Sequence, residues 1–554
     1  MDDEQCGQKW RSPRWFIYIA LLLLAVGIGF RAGNLDGKVY WVDEAYTSLR
    51  MSGYTKAEFV QAVYTGQPID VAALQRYQYP QPDRGWDDTL HALKGNAEHP
   101  PLYFLLVRLW VQGFGDSIAV IRSLSVLFGV LVFPSLFWLC WELFQQPIVA
   151  WGAIALVAIS SFHVLYAQEA RPYSLWTLMV LWSSANLLWA MRTRNKISWV
   201  LYGLTVSLGL YTQLLFGIVA IAHGIYVGIV EEVIPKRRLS QTVVCYLLAT
   251  GAGVLTFIPW AIVIFHHRER VQAVTASLTE AKSLSVIINE WCKNLGRGII
   301  GADLASANGL LLLPTAYALY YLYRYAPRRA WLFLLILTGV CFLALALPDL
   351  LWGGRRSLRL RYLIPAYLGV QLALAYLFTT QIVRASANST NQQPSTNGQP
   401  TALAECLNGG STKWRLGPKL WRMAFILFCI VSLTICGASV HAQVSWNKDI
   451  SRSSYYPLVA SFINQTPNPL LISDAGASDI LAFSHQLAAH VTLELVDTPA
   501  QVTIPHDFTP VMLLNPSQRL RNWFSRRGYW LGLIYRDPKA DPGEEDRLWL
   551  VQKR

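Results

Sequence analysis

The chain has 554 residues, 53% of them hydrophobic and only 15% charged, against roughly 25% charged in an ordinary soluble domain. Repeated apolar runs near membrane-span length therefore exclude a soluble globular protein and indicate a polytopic helical membrane protein, and the alternating strands of an outer-membrane barrel are not seen. The net charge of +13 follows from basic cytoplasmic loops and anionic lipid head groups, so it does not call for nucleic acid.

In chain order, Lys9, Arg11 and Arg14 precede an apolar run from Trp15 to Phe30. Arg31-Ala32-Gly33 follows without a small-residue cleavage site, so the run reads as an uncleaved signal anchor with the N-terminus cytoplasmic. Residues 31–117 then form a large outer loop. Within it Trp41-Val42-Asp43-Glu44-Ala45-Tyr46 places two adjacent carboxylates among aromatic rings, either as a solvated loop or as a general base at the membrane surface. Thr55-Lys56-Ala57-Glu58 is a capping box that opens a short helix to about Tyr64. A Pro-, Gln- and Tyr-rich stretch from Gln67 to Asp83 leads to a second helix over Asp87 to Lys94. Glu98-His99-Pro100-Pro101 starts the apolar segment Leu102 to Phe114. That segment is too short for a span of about 20 residues. Charge bias places it in the interface, because the loop Arg192 to Lys196 then falls inside.

Ten further spans are expected: Leu124–Leu143, Val149–Tyr166, Ser174–Met191, Trp199–Tyr211, Leu215–Val230, Val243–Phe265, Leu310–Tyr323, Trp331–Leu347, Tyr362–Phe378 and Leu420–Val440. With the first they make about eleven. Residues 266–308 form a second outer loop. Residues 1–381 thus make one transmembrane module, 382–419 a polar, disordered cytoplasmic linker, and 420–440 the last span. Residues 441–554 read as a small α/β domain outside, with strands over 469–473, 491–496, 511–514 and 547–551 and helices over 478–489 and 518–527. Eight cysteines without a CxxC spacing support neither a zinc site nor a disulfide framework.

Four outer-face features carry possible chemistry. Asp43 and Glu44 lie near apolar surface, where a carboxylate loses hydration and becomes a better proton acceptor. Glu98-His99 is either a helix start or a polar contact for a substrate hydroxyl. Tyr166-Ala167-Gln168-Glu169-Ala170-Arg171-Pro172-Tyr173 is a tight outer turn whose Glu169 and Arg171 either pair with each other or face a substrate. Arg122 belongs with them, unless it merely snorkels. The fourth is Arg355-Arg356-Ser357-Leu358-Arg359-Leu360-Arg361-Tyr362, a basic cluster outside, against the positive-inside bias. Either the topology fails there or these guanidiniums hold an anion such as a phosphate.

The order of these motifs, with Arg-Ser-Leu-Ser-Val-Leu-Phe-Gly at 122–129, resembles the GT-C class of membrane glycosyltransferases, closest to the branch of protein O-mannosyltransferases and the lipid A aminoarabinose transferase. The resemblance covers roughly residues 15–191, with a vaguer likeness at Arg361-Tyr362-Leu363-Ile364-Pro365. It implies a GT-C-like catalytic module over 1–381, an integral protein of the cell (inner) membrane and an active site on the non-cytoplasmic face. It implies inverting transfer from a polyprenyl-phosphate sugar donor to a lipid, glycan or protein. Asp43 matches the family's base and Glu44 its acidic neighbour. His99, Arg122, Glu169, Arg171, Tyr173, Arg356, Arg359, Arg361 and Tyr362 are the substrate-binding candidates. Some relatives use a divalent cation (Mg or Mn), for which Asp43, Glu44, His99 and Glu169 are the possible ligands. The competing class is a transporter or flippase of lipid-linked glycans. It calls for midplane charges and inverted repeats, whereas the charges here cluster at the outer ends of spans.

Overall fold

The structure is a computed structural model that describes residues 13–236, 238–390, 418–444, 450–504, 509–540 and 543–553. Every expected apolar segment is helical. Among the described residues six helices are long and apolar enough to cross a membrane: Arg14–Ala32, Ile118–Phe144, Gln241–His266, Arg328–Trp352, Leu360–Val383 and Lys419–His441. Pro147–Ala158 and Ser161–Ala167, bent by 65°, make a seventh if taken as one span. Three others of the expected spans are short helices: Lys196–Thr212, Phe216–Val230 and Leu312–Tyr325. At 1.5 Å per residue such helices fall short of a bilayer core of about 30 Å, so the count of eleven is not reached on length. Leu102–Phe114 is likewise a helix of only 13 residues.

The described residues fall into two compact units, one of Met1–Gly33, Ser125–Ala167 and Pro172–Val440, the other of Asn34–Leu124, Gln168–Arg171 and His441–Arg554. In the first, the break after Ala158 has a specific support. The Arg31 guanidinium donates to the carbonyls of Val157 (2.9 Å) and Ala158 (2.7 Å), which the end of a helix leaves without their usual i+4 donors; Val157 also accepts from the Ser160 N–H at 3.3 Å. A side chain at Gly27 would prevent this approach, since a Cβ there would lie 2.4 Å from the Ala158 oxygen. The helix Ile364–Thr390 runs past the expected end at Phe378 and into the first part of the expected linker; residues 391–417 lie outside the described residues. The expected outer loop 266–308 contains the helices Arg268–Thr275 and Leu284–Ile299.

The second unit is built on a six-stranded sheet of β1 (Thr65–Asp70), β2 (Leu470–Ser473), β3 (Thr492–Val496), β4 (Val511–Leu514), β5 (Tyr529–Arg536) and β6 (Asp546–Lys553), in the order β1-β3-β2-β4-β6-β5. β2 runs parallel to β3 and β4, and the other pairs are antiparallel. Leu470, Ile472, Val496, Leu513, Leu520 and Phe524 form its buried core. The C-terminal segment is therefore organised differently from a self-contained domain: its edge strand β1 comes from the segment expected as the first outer loop, with Thr65 opposite Val496 and Asp70 opposite Thr492. Gly66 permits the bulge in β1, at φ +75°; a Cβ there would lie 2.2 Å from the Gln501 oxygen. The same loop supplies the helix Val42–Met51, which packs against the helix Ala477–Ser484.

Candidate active site

The acidic pair opens a helix instead of a loop. Val42–Met51 begins at Trp41, and Asp43 and Glu44 sit in its first turn, where negative charge is favoured by the helix dipole. Helical spacing then separates their roles. Asp43, Tyr46, Thr47 and Arg50 lie along one face, and only Asp43 and Tyr46 among this helix's residues are not buried. Glu44 and Ser48 point the other way, and Ser48 bonds the Tyr40 hydroxyl.

Glu44 is fully engaged. One oxygen accepts from Arg122 Nε (2.8 Å) and the Ala170 N–H (2.9 Å); the other accepts from Arg122 Nη2 (2.7 Å) and the Trp41 N–H (3.4 Å). Arg122 also donates to the carbonyls of Lys38 (3.1 Å), Val39 (3.1 Å) and Leu35. Both side chains are completely buried. The snorkelling alternative for Arg122 is thus overturned, because its charge is met inside by a carboxylate and three carbonyls. A buried pair holds only when its remaining donors and acceptors are satisfied in this way.

Asp43 differs from its neighbour. Its side chain retains 26% exposure, and Arg171 Nε stands 4.0 Å from its Oδ2. Arg171 also donates to the Asp43 carbonyl (3.4 Å) and to Thr47 Oγ1 (3.3 Å). Glu169 accepts from the Trp41 indole at 2.9 Å. The turn residues Glu169 and Arg171 therefore each reach the Trp41–Thr47 segment, which fixes the turn against the acidic helix. His99 Nε2 lies 3.9 Å from Glu98 Oε1, and Glu98 Oε2 is buried without a hydrogen bond.

Sequence reasoning missed Arg50. It is buried, it donates to Asn96 Oδ1 at 3.1 Å, and its guanidinium lies 5.1 Å from the Tyr46 ring centroid and 5.8 Å from that of Phe104. Its Nε and Nη1 are buried without a hydrogen bond. Burial first, and then the neighbouring Arg171 charge, lower it to about 10. The signal was available in its spacing, seven residues after Asp43 on the same helical face.

The four candidate metal ligands do not assemble. Among the described residues no three His, Cys, Asp or Glu groups are placed to hold a metal ion. Both Glu44 oxygens are taken by Arg122, and Glu169 Oε1 by Trp41. Two guanidiniums beside the acidic pair already supply its positive charge. This donor set does not fit a divalent cation.

In the first unit, Gly353 (φ +77°) and Gly354 (φ +144°) follow the helix Arg328–Trp352 and turn the chain into the basic segment. Not all of its arginines face outward. Arg356 pairs at 2.9 Å with buried Asp349, whose other oxygen accepts from the Ser357 N–H (2.7 Å) and hydroxyl (2.8 Å). Arg355 donates to the Ser277 carbonyl at 2.7 Å and lies 3.6 Å from Glu280. These two hold the segment in shape. Arg361 lies over the rings of Tyr173 (5.6 Å) and Tyr362 (5.8 Å), so three of the expected substrate contacts do come together. Arg359 is half-buried in the same segment.

Residues 98–263 match the Dolichyl-phosphate-mannose-protein mannosyltransferase family. That is the branch the motifs resemble, and the matched region contains Glu98-His99, Arg122 and the 166–173 turn. No curated protein sequence matches the chain. Among solved structures, ArnT from Cupriavidus metallidurans bound to undecaprenyl phosphate is similar at 13% identity and TM-score 0.47, over 97% of each chain. The same protein in the apo state gives 12% and 0.49, again over 97% of each chain. The Archaeoglobus fulgidus oligosaccharyltransferase in the apo form gives 15% and 0.47 over 87% of this chain, which spans 65% of that protein's length.

Proposed function

We propose that this chain is an inverting membrane glycosyltransferase. It moves one sugar from a polyprenyl-phosphate donor to a hydroxyl of a lipid, glycan or protein acceptor on the non-cytoplasmic face of the cell membrane. The observation that carries the reading is the division of labour in the acidic pair. Glu44 is consumed by Arg122 and the backbone, while Asp43 beside it keeps a partly exposed carboxylate next to Arg171. A carboxylate held on a rigid helix by a buried ion pair is a pre-organised proton acceptor.

In the transfer step the acceptor oxygen attacks the anomeric carbon and its proton passes to Asp43. The bond from that carbon to the phosphate oxygen breaks, with the electron pair leaving on the polyprenyl phosphate. Attack opposite the departing phosphate inverts the anomeric centre. The added charge on the leaving phosphate requires fixed cations. Arg359 and Arg361, stiffened by the Asp349–Arg356 pair in their segment, are assigned that role. Arg122 and Glu169 position the acidic helix and its facing turn; Arg171, which also ties that turn to Asp43 and Thr47, and His99 are assigned to the substrate, and Tyr173 and Tyr362 flank Arg361.

The test is direct. The full chain, reconstituted in nanodiscs, is given synthetic polyprenyl-phosphate sugars and an envelope lipid extract as acceptor. Release of polyprenyl phosphate with an inverted product, followed by NMR, is expected. Donor left intact across a panel of hexoses and pentoses and across lipid, glycan and peptide acceptors, or a product of retained configuration, overturns the reading.

A further inference from the structure

The second unit carries a groove that the transfer chemistry does not use. The helix Gln518–Arg526 buries Leu520 and Phe524 in the core. Its opposite face presents Gln518, Arg521, Asn522 and Ser525, at positions i, i+3, i+4 and i+7. Beside that polar stripe lie Tyr529, Trp530 and Leu531 of the edge strand β5, and Trp549 of β6. The groove between them holds about 350 Å³, toward the small end of the roughly 300–1,000 Å³ of small-molecule sites.

Its chemistry is specific. Trp530 is 48% exposed, an unusual exposure for so large an apolar ring. The ring lies across Gly532, where a Cβ would come within 2.4 Å of it, so the glycine lets the indole lie along the strand. The Trp549 indole N–H is buried and makes no hydrogen bond, as does Arg521 Nε. Arg521 shares Asp546 (3.4 Å) with Arg536 (2.8 Å) and donates to Gln518 Oε1 at 2.7 Å, and its guanidinium lies 5.3 Å from the centroid of the Trp549 ring. The guanidinium is thus already engaged within the unit by a carboxylate and an amide oxygen. The amides of Gln518 and Asn522 bond each other at 2.8 Å and keep further donor and acceptor capacity on the groove side of the helix. A half-exposed aromatic ring beside amides and a hydroxyl suits a ligand with an apolar C–H face and a rim of hydroxyls.

We propose that this groove binds a short neutral glycan of one or two sugar rings. The inference does not depend on the transfer reading and is tested without it. The full chain in nanodiscs is titrated with mannobiose, cellobiose and N,N′-diacetylchitobiose, following saturation-transfer NMR signals of the sugar. Saturable binding of at least one is expected, weakened about tenfold or more by Trp530→Ala, which removes one aromatic face. Asn522→Leu, on the exposed side of the helix, weakens it similarly, and Asp43→Asn leaves it in place. The proposal is overturned if no disaccharide saturates, if both groove variants bind as wild type does, or if binding is lost in Asp43→Asn. It is equally overturned if the groove takes only an extended peptide added to the β5 edge.

Discussion

Replacing Glu44 by Gln tests the role that the structure gives to the buried pair. The substitution keeps the size of the side chain and removes its charge. Arg122 then remains fully buried with no carboxylate to meet it. Breaking such a pair from one side costs about 3–5 kcal/mol. The carbonyls of Lys38, Val39 and Leu35 still accept from Arg122, and the Gln oxygen can accept one bond, so the lower figure of about 3 kcal/mol applies. For a unit of this size that is a fall in Tm of about 6–12 °C. It is measured by thermal unfolding of the purified chain in detergent, followed by near-ultraviolet circular dichroism. A double variant, Glu44→Leu with Arg122→Met, removes both charges and recovers most of the stability lost in either single variant. If Glu44→Gln unfolds within about 2 °C of wild type, Glu44 is not an anchor and the division of labour in the acidic pair is wrong.

The His485 ring packs edge-on to Tyr40 at 4.7 Å and bonds Gln78 at 3.0 Å, and burial, then Arg122, lowers it to about 4 while Glu44 opposes. Its unfolded value is about 6.5, so the unfolded chain binds the proton first: stability is complete above that pH and is lost as pH falls toward 4, by roughly 2 kcal/mol at pH 5. His485→Gln flattens this part of the stability profile, and an unchanged slope would assign the loss to other groups. Gly66→Ala forces a Cβ against the Gln501 carbonyl at positive φ, costing about 1–3 kcal/mol and releasing β1; hydrogen exchange at Ile69 should rise, and unaltered protection there refutes the strain. Arg361→Ala raises the donor concentration for half-maximal rate by about tenfold or more and leaves acceptor preference alone; an unchanged donor dependence removes Arg361 from the phosphate contact.

Much of this was legible in the residues because the relevant signals are local. The apolar runs, the Thr55–Glu58 capping box and the strands over 470–473, 492–496 and 511–514 each follow from short-range pattern, and each is found where expected. The acidic motif was legible as a motif, but its two members could not be separated without knowing which face of the helix met Arg122. Arg356 looked like an anion contact for the same reason: its partner Asp349 is seven residues earlier, beyond two glycines that reverse the chain. β1 was missed because Thr65-Gly66-Gln67-Pro68-Ile69-Asp70 has no alternation, and only an edge position tolerates its proline. β5 was missed because Gly532 interrupts an otherwise clear strand pattern.

The most direct measurement is the transfer rate of Asp43→Asn alongside its unfolding temperature. A partly exposed side chain outside the Glu44–Arg122 network should leave the Tm where it was, while removing the base lowers the rate by about 10²–10⁴. A variant that transfers sugar at nearly the wild-type rate would contradict the account at its centre.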